Sequence, residues 1–172
     1  MFSSVRDSIR LMNRSAIALG SNLGDRSFIL AAAVETLAQT PGIILEVTSS
    51  WYQTKAVGPP QSDYLNGAAI LQVEMTPQFL LATLLAIESK FGRIRTEHWG
   101  ARSLDLDLLL YDDLIFDTPA LQIPHPRMCD RAFVLVPLAE IAPNLIEPVS
   151  QCEIKELVKQ VDSSDVHLWM GN

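Results

Sequence analysis

The sequence predicts an α+β sandwich in which helices pack on a mainly antiparallel sheet. Three observations support this. Alternating or β-branched apolar runs at 15–20, 43–52, 64–75 and 104–111 have the length and composition of strands. The stretches 28–39 and 77–91 between them are apolar enough and long enough for helices. Strands and helices alternate irregularly, with hairpin signals among the strands, which points away from a wholly parallel sheet.

In chain order, SAIALG at 15–20 is a short apolar strand ending at Gly20. A turn over 21–25 leads into the first helix, rich in Ala and Leu, and Pro41 with Gly42 stops it. The next strand, 43–52, carries β-branched and aromatic residues. Residues 53–63 hold Gly58, Pro59 and Pro60 without periodicity and form a loop. Structureless loops of about this length tend to be functional. After the strand 64–75, Thr76 serves as N-cap and Pro77 as the first helical residue. A second long loop, 92–103, precedes the strand 104–111. Asp112 and Asp113 turn the chain into 114–116, expected as the return strand of a hairpin. The segment 118–130, with Pro119, Pro124 and Pro126, reads as extended, and 133–141 and 152–160 read as helices.

The chain has 172 residues, 48% of them apolar, which fits one domain with a real core. A general nucleic-acid binder would be basic, and the formal net charge here is −7. No apolar run reaches the ~18 residues of a membrane span. Cys129 and Cys152 form no CxxC pair and no zinc spacing, in keeping with a reducing compartment. The expectation is a cytoplasmic monomer with no nucleic-acid or membrane partner. Residues 1–14 carry Arg6, Arg10 and Arg14, with Phe2, Val5, Ile9 and Met12 at helical spacing. They are set aside as an N-terminal extension, disordered or non-native, before a single domain over 15–172.

The sharpest chemical feature is LDLDL at 104–108. Alternate strand residues share a face, so Asp105 and Asp107 point the same way, roughly 6–7 Å apart at the backbone. Leu104, Leu106 and Leu108 then point to the core. Two carboxylates on a rigid strand suit a hard cation such as magnesium, which fills its shell with water and substrate phosphates. The plain alternative is a half-exposed strand with solvated acids. Like charges on one strand face repel, however, and call for compensation.

The preceding loop supplies it. Lys90, Arg93, Arg95 and Arg102 lie there with His98, in a chain with only 13 Lys and Arg. Arginine forks match phosphate oxygens, and phosphoryl transfer is catalysed largely by positioning and charge neutralisation. These arginines can equally pair with Asp105, Asp107, Glu88 or Glu97. Trp99 suits stacking on a planar ring or packing in the core. His125, between Pro124 and Pro126, has a constrained backbone, useful for a phosphate donor or proton carrier. Arg131 is placed to join a phosphate cluster. Asn66 can read a heterocycle edge or cap a turn. Gly20–Asp25 (GSNLGD) sits where a phosphate loop would, but lacks both the lysine and the glycine spacing of one. It reads as a tight turn and helix start.

Four segments carry a family resemblance: AIALGSNLGDR (16–26), SDYLNGA (62–68), GRIRTEHWGARSLDLDLLLYDD (92–113) and IPHPRMCDRAFVLVPLAEIAP (123–143). The chain resembles the 6-hydroxymethyl-7,8-dihydropterin pyrophosphokinases of folate biosynthesis from about residue 16 to 161. The resemblance implies a ferredoxin-like α+β fold with long mobile loops over the active site. It implies pyrophosphoryl transfer from ATP to the pterin hydroxymethyl, releasing AMP, with two magnesium ions on Asp105 and Asp107. Arg93, Arg102, Asp105 and Asp107 would be catalytic. Glu88, Arg95, Trp99, Leu108, His125 and Arg131 would meet ATP. Thr54, Lys55, Ala56, Tyr64, Asn66, Trp99 and Phe133 would meet the pterin. The chain departs from better-known members at Lys55, Ala56 and Val57, often prolines there, and at His98, Ala101 and Ala120. Two other functions remain open on the residues alone: a metal-dependent phosphohydrolase and a non-catalytic nucleotide-binding module.

Overall fold

The computed structural model describes residues 12–55, 60–92 and 103–171. Its centre is β1 (Asn13–Ser21), whose run of apolar residues is buried on both faces. β1 pairs antiparallel with β4 (Tyr64–Val73) on one side and β5 (Asp105–Tyr111) on the other. Two short strands, β2 (Ile43–Thr48) and β3 (Tyr52–Thr54), pair with successive stretches of β4. β10 (His167–Leu168) extends the edge beyond β3. Helix α1 (Arg26–Gln39) links β1 to β2, and α2 (Pro77–Lys90) links β4 to β5. An antiparallel sheet with β1 and β4 central, crossed by two helices in this order, is the ferredoxin-like arrangement.

The helices start where their caps dictate. Asp25 accepts from the Phe28 amide at 3.2 Å, and Thr76 accepts from the Phe79 amide at the same distance. Leu30, Ala33 and Leu37 of α1 and Leu80, Leu84 and Ile87 of α2 make apolar stripes at helical spacing. These stripes bury Ile17, Leu19, Leu106 and Leu108 on one sheet face. The other face carries Ala16, Ala18, Ala68 and Ile70, covered by α3 (Ala132–Ile141) and α4 (Ile154–Val158). Each fully buried Leu or Ile contributes about 2 kcal/mol by leaving water. Among the described residues no helix is long and apolar enough to cross a membrane.

Four sequence expectations change. The strand expected over 43–52 is broken at a corner, where the Ser49 amide donates to Ala68 O and Ser49 Oγ accepts from the Ala68 amide. The corner therefore bends without losing its hydrogen bonds to β4. Asn13 and Arg14 belong to β1 and not to an extension: they face Val73 and Gln72, and Arg14 Nε lies 3.1 Å from Glu46 Oε2.

The turn at Asp112 forms, with φ of 47°, but no hairpin returns along β5. The Asp112 amide donates to Arg14 O and Asp112 Oδ1 accepts from the Arg14 amide, which ties the turn to β1. The chain then folds on itself, with β6 (Phe116–Asp117) pairing β7 (Gln122–Ile123). Finally, Cys152 and Glu153 form β9 against β8 (Ile146–Glu147) and shorten the expected helix. The buried Glu147 carboxylate accepts from the Val149 and Ser150 amides and closes the turn that brings them back.

Candidate active site

Strand register brings the candidate residues into rows across the sheet. Tyr52 lies opposite Asn66, Asn66 opposite Gly20, and Gly20 opposite Asp105. The next row on the same face is Ala68, Ala18 and Asp107. Directly opposed residues share a face, and this face is the one toward α3. Two strand spacings separate Asn66 from Asp105, roughly 10 Å at the backbone. Between them stand Gly20 and Ala18, whose small size leaves room above the sheet.

Asp105 and Asp107 are half-buried at the start of β5. Their shared face and the missing bulk opposite them fit a hard cation held by carboxylate oxygens. Among the described residues no group of three or more His, Cys, Asp or Glu surrounds a metal position. Two carboxylates on one face suit an ion that completes its shell with water and substrate oxygens, as magnesium does.

His125 sits beside this pair. Its amide donates to Leu109 O at 2.9 Å, next to a bulge where β5 shifts register against β1. Its Nδ1 accepts from the Arg127 amide at 3.1 Å, so the neutral ring carries its proton on Nε2. Burial lowers its pKa; Asp107 opposes that, and Arg131 and Arg127 push it lower again. Arg131 occupies the N-cap position of α3, and its guanidinium lies 5.5 Å from the Phe133 ring centroid.

At the other end of the row, Asn66 Nδ2 donates to Thr54 Oγ1 at 2.6 Å. Both are buried, and Tyr64 stands opposite Thr54. One end of the face thus offers a fixed amide and hydroxyl beside an aromatic ring. The other offers two carboxylates and a histidine.

Comparison with known proteins decides what this face belongs to. The family model for 7,8-dihydro-6-hydroxymethylpterin-pyrophosphokinase (HPPK) matches residues 16–143. The chain belongs to this family. A 2-amino-4-hydroxy-6-hydroxymethyldihydropteridine pyrophosphokinase of Synechocystis is 51% identical over 152 residues, covering 88% of this chain and 78% of that protein. The protein of that name from Haemophilus influenzae is 48% identical, covering 84% of this chain and 90% of its own length. The wild-type HPPK-DHPS of Plasmodium falciparum with pteroate has a TM-score of 0.69 at 14% identity, which shows the fold alone. This chain spans 42% of that longer one.

Against HPPK expectations, the structure brings Thr54, Asn66, Tyr64, Asp105, Asp107, His125, Arg131 and Phe133 to one side of the sheet or its rim. Lys55 is exposed at the end of β3. Leu108, expected with the nucleotide, is turned away: it is 4% exposed and packs toward α1 and α2, because strand alternation puts it opposite the carboxylates. Glu88 lies in the last turn of α2 and is almost fully buried. Ala56, Arg93, Arg95, Trp99 and Arg102 lie outside the described residues. A hollow of about 600 Å³ lies at the opposite ends of β1 and β5, lined by Arg14, Leu110, Asp112 and Asn144. Chemistry, not concavity, identifies the site.

Sequence reading missed four contributors. Gly20 is part of the row, and a Cβ there would stand 3.0 Å from Asn66 Oδ1. Asn22 and Arg26 bond the segment leading into β4. Glu140 of α3 accepts from Tyr52 Oη at 2.7 Å and the Ser50 amide at 2.8 Å, tying α3 to the β2–β3 corner. The signal for the first three was the unabsorbed GSNLGDR stretch. Glu140 had no local signal, since its partners are some 90 residues away.

Proposed function

We infer that this chain transfers the pyrophosphoryl group of ATP to the hydroxymethyl of 6-hydroxymethyl-7,8-dihydropterin, giving AMP and the pterin diphosphate for folate biosynthesis. The carrying observation is the row that runs from the Thr54–Asn66 pair across Gly20 to Asp105. It supports an acceptor subsite at one end and a phosphate-and-metal subsite at the other, close enough for the two substrates to meet above Gly20 and Ala18.

Asp105 and Asp107 would hold two magnesium ions, which supply neutralisation of the polyphosphate charge. Asn66 and Thr54 would orient the pterin edge, with Tyr64 and Phe133 against its ring. The pterin hydroxymethyl oxygen would then attack the β-phosphorus in line. The bond from the β-phosphorus to the bridging α–β oxygen breaks and AMP leaves. The hydroxyl proton passes to a carboxylate of the pair or to water. His125 Nε2–H would donate to a phosphate oxygen, and Arg131 would add a guanidinium. Arg93, Arg95, Trp99 and Arg102 keep the catalytic and nucleotide roles implied by their motif, and Glu88 its place near the nucleotide. The enzyme is read as a cytoplasmic monomer acting on small molecules alone.

The test is incubation of purified protein with MgATP and the hydroxymethyl pterin. AMP and pterin diphosphate should appear in equal amounts. Release of inorganic phosphate or pyrophosphate without modification of the pterin would instead make it a phosphohydrolase.

A further inference from the structure

We propose that Asn22 and Arg26 are positioning residues for the pterin subsite: they clamp residues 61–63, the stem from which Tyr64 and Asn66 enter β4. The inference rests on the pyrophosphokinase reading for what occupies that subsite.

β1 ends at Ser21 opposite Leu65, so the chain leaves the sheet beside the first residues of β4. Asn22 is 2% exposed there. Its Nδ2 donates to Gln61 Oε1 at 2.7 Å and to Ser62 O at 3.2 Å. Arg26, at the start of α1, donates from Nη1 to Asp63 O at 2.7 Å. Gln53 of β3 closes the clamp from the other side, with Nε2 3.2 Å from Asp63 Oδ2. Three successive residues of the stem are thus held by side chains from the turn after β1, from α1 and from β3. The capping of α1 by Asp25 and the φ of 75° at Gly24 fix where Arg26 emerges.

The donors of the GSNLGDR stretch bond the Gln61 side chain and the backbone oxygens of Ser62 and Asp63. A stem held in this way is restrained, and a subsite that recognises a flat heterocycle loses affinity when its walls move by fractions of an ångström. The bonds from Asn22 and Arg26 to residues 61–63 lie on the acceptor side of the face. Their removal should therefore loosen the acceptor side and leave ATP binding alone.

The experiment compares wild type with Arg26→Met, Arg26→Lys and Asn22→Ala in MgATP-dependent formation of the pterin diphosphate, with pterin and ATP varied in turn. Arg26→Met should raise the KM for the pterin about tenfold, the worth of one charge-assisted bond, with the KM for ATP within about twofold. Arg26→Lys, which keeps a donor for Asp63 O, should recover most of the loss. Asn22→Ala should act in the same direction, and if it does not fold, the Arg26 pair decides. An unchanged pterin KM in Arg26→Met, or equal changes in both KM values, overturns the inference. A wild type that binds ATP but makes no pterin diphosphate overturns the underlying reading instead.

Discussion

Asn66 and Thr54 form a buried amide–hydroxyl pair, with Asn66 Nδ2 donating to Thr54 Oγ1 at 2.6 Å. The NH₂ faces β3, and Oδ1 lies on the side of Gly20, where an added Cβ would come within 3.0 Å of it.

Thr54→Val keeps the shape of Thr54 and removes its oxygen. The amide of Asn66 would then lose its buried acceptor, at about 1–3 kcal/mol, and with it its fixed orientation. The expected outcome is a pterin KM raised about tenfold and a thermal midpoint lowered by a few degrees. Steady-state kinetics with varied pterin and a melting curve check both.

Asp105→Asn and Asp107→Asn each replace a carboxylate proposed to hold magnesium by a neutral amide of the same size. Charge stabilisation by a bound metal contributes several kcal/mol, so AMP formation should fall about a thousandfold or more in each variant. Far-UV circular dichroism should stay native, because both side chains are only half-buried at the start of β5.

Gly20 and Gly67 sit on opposite faces of the sheet and should fail differently. A Cβ at Gly67 would fall 2.4 Å from Trp51 Cζ3, inside any tolerable contact. Gly67→Ala should therefore cost about 1–3 kcal/mol of stability by overpacking. Gly20→Ala meets the Asn66 amide oxygen most closely, at 3.0 Å, and the Tyr64 ring edge next, at 3.5 Å. It should raise the pterin KM several-fold, with a smaller change in melting temperature.

The Tyr52–Glu140 bond should shape stability against pH. Burial and then the Glu140 carboxylate push the Tyr52 phenol up to about 12 from its ordinary 10.0. Burial alone would raise the Glu140 carboxyl, but the bonds from Tyr52 and Ser50 outweigh it and hold it below its ordinary 4.5. A depressed carboxyl stabilises the fold above its unfolded pKa, and that contribution fades as pH falls through the lower folded value. A raised phenol stabilises the fold below 10.0, and that contribution fades as pH rises toward 12. Glu140→Gln should flatten the acid limb in a series of melting curves. It should also bring the Tyr52 phenol down toward its ordinary range in an ultraviolet titration.

Much was legible before any coordinates. The alternation in LDLDL put Asp105 and Asp107 on one face and the leucines on the other, because strand period is a local property. Thr76 and Pro77 marked the start of α2 for the same reason. The return of 114–116 along β5 was overruled by a distant partner, Arg14 for Asp112, whereas the helix at 152 gave way to a nearby pairing, Ile146 and Glu147 with Glu153 and Cys152.

By itself, then, the sequence determined the strands, the capped helices, the acidic pair and, through its motifs, the family. Only the tertiary structure decided that Tyr52, Asn66, Gly20 and Asp105, drawn from four strands, stand in one row. It alone showed that Asn22 and Arg26 bond residues 61–63, just ahead of β4. The physical reason is register. Which residues face each other across a sheet depends on pairing between strands distant in sequence, as Ser15 with Tyr111, and no local pattern encodes that pairing.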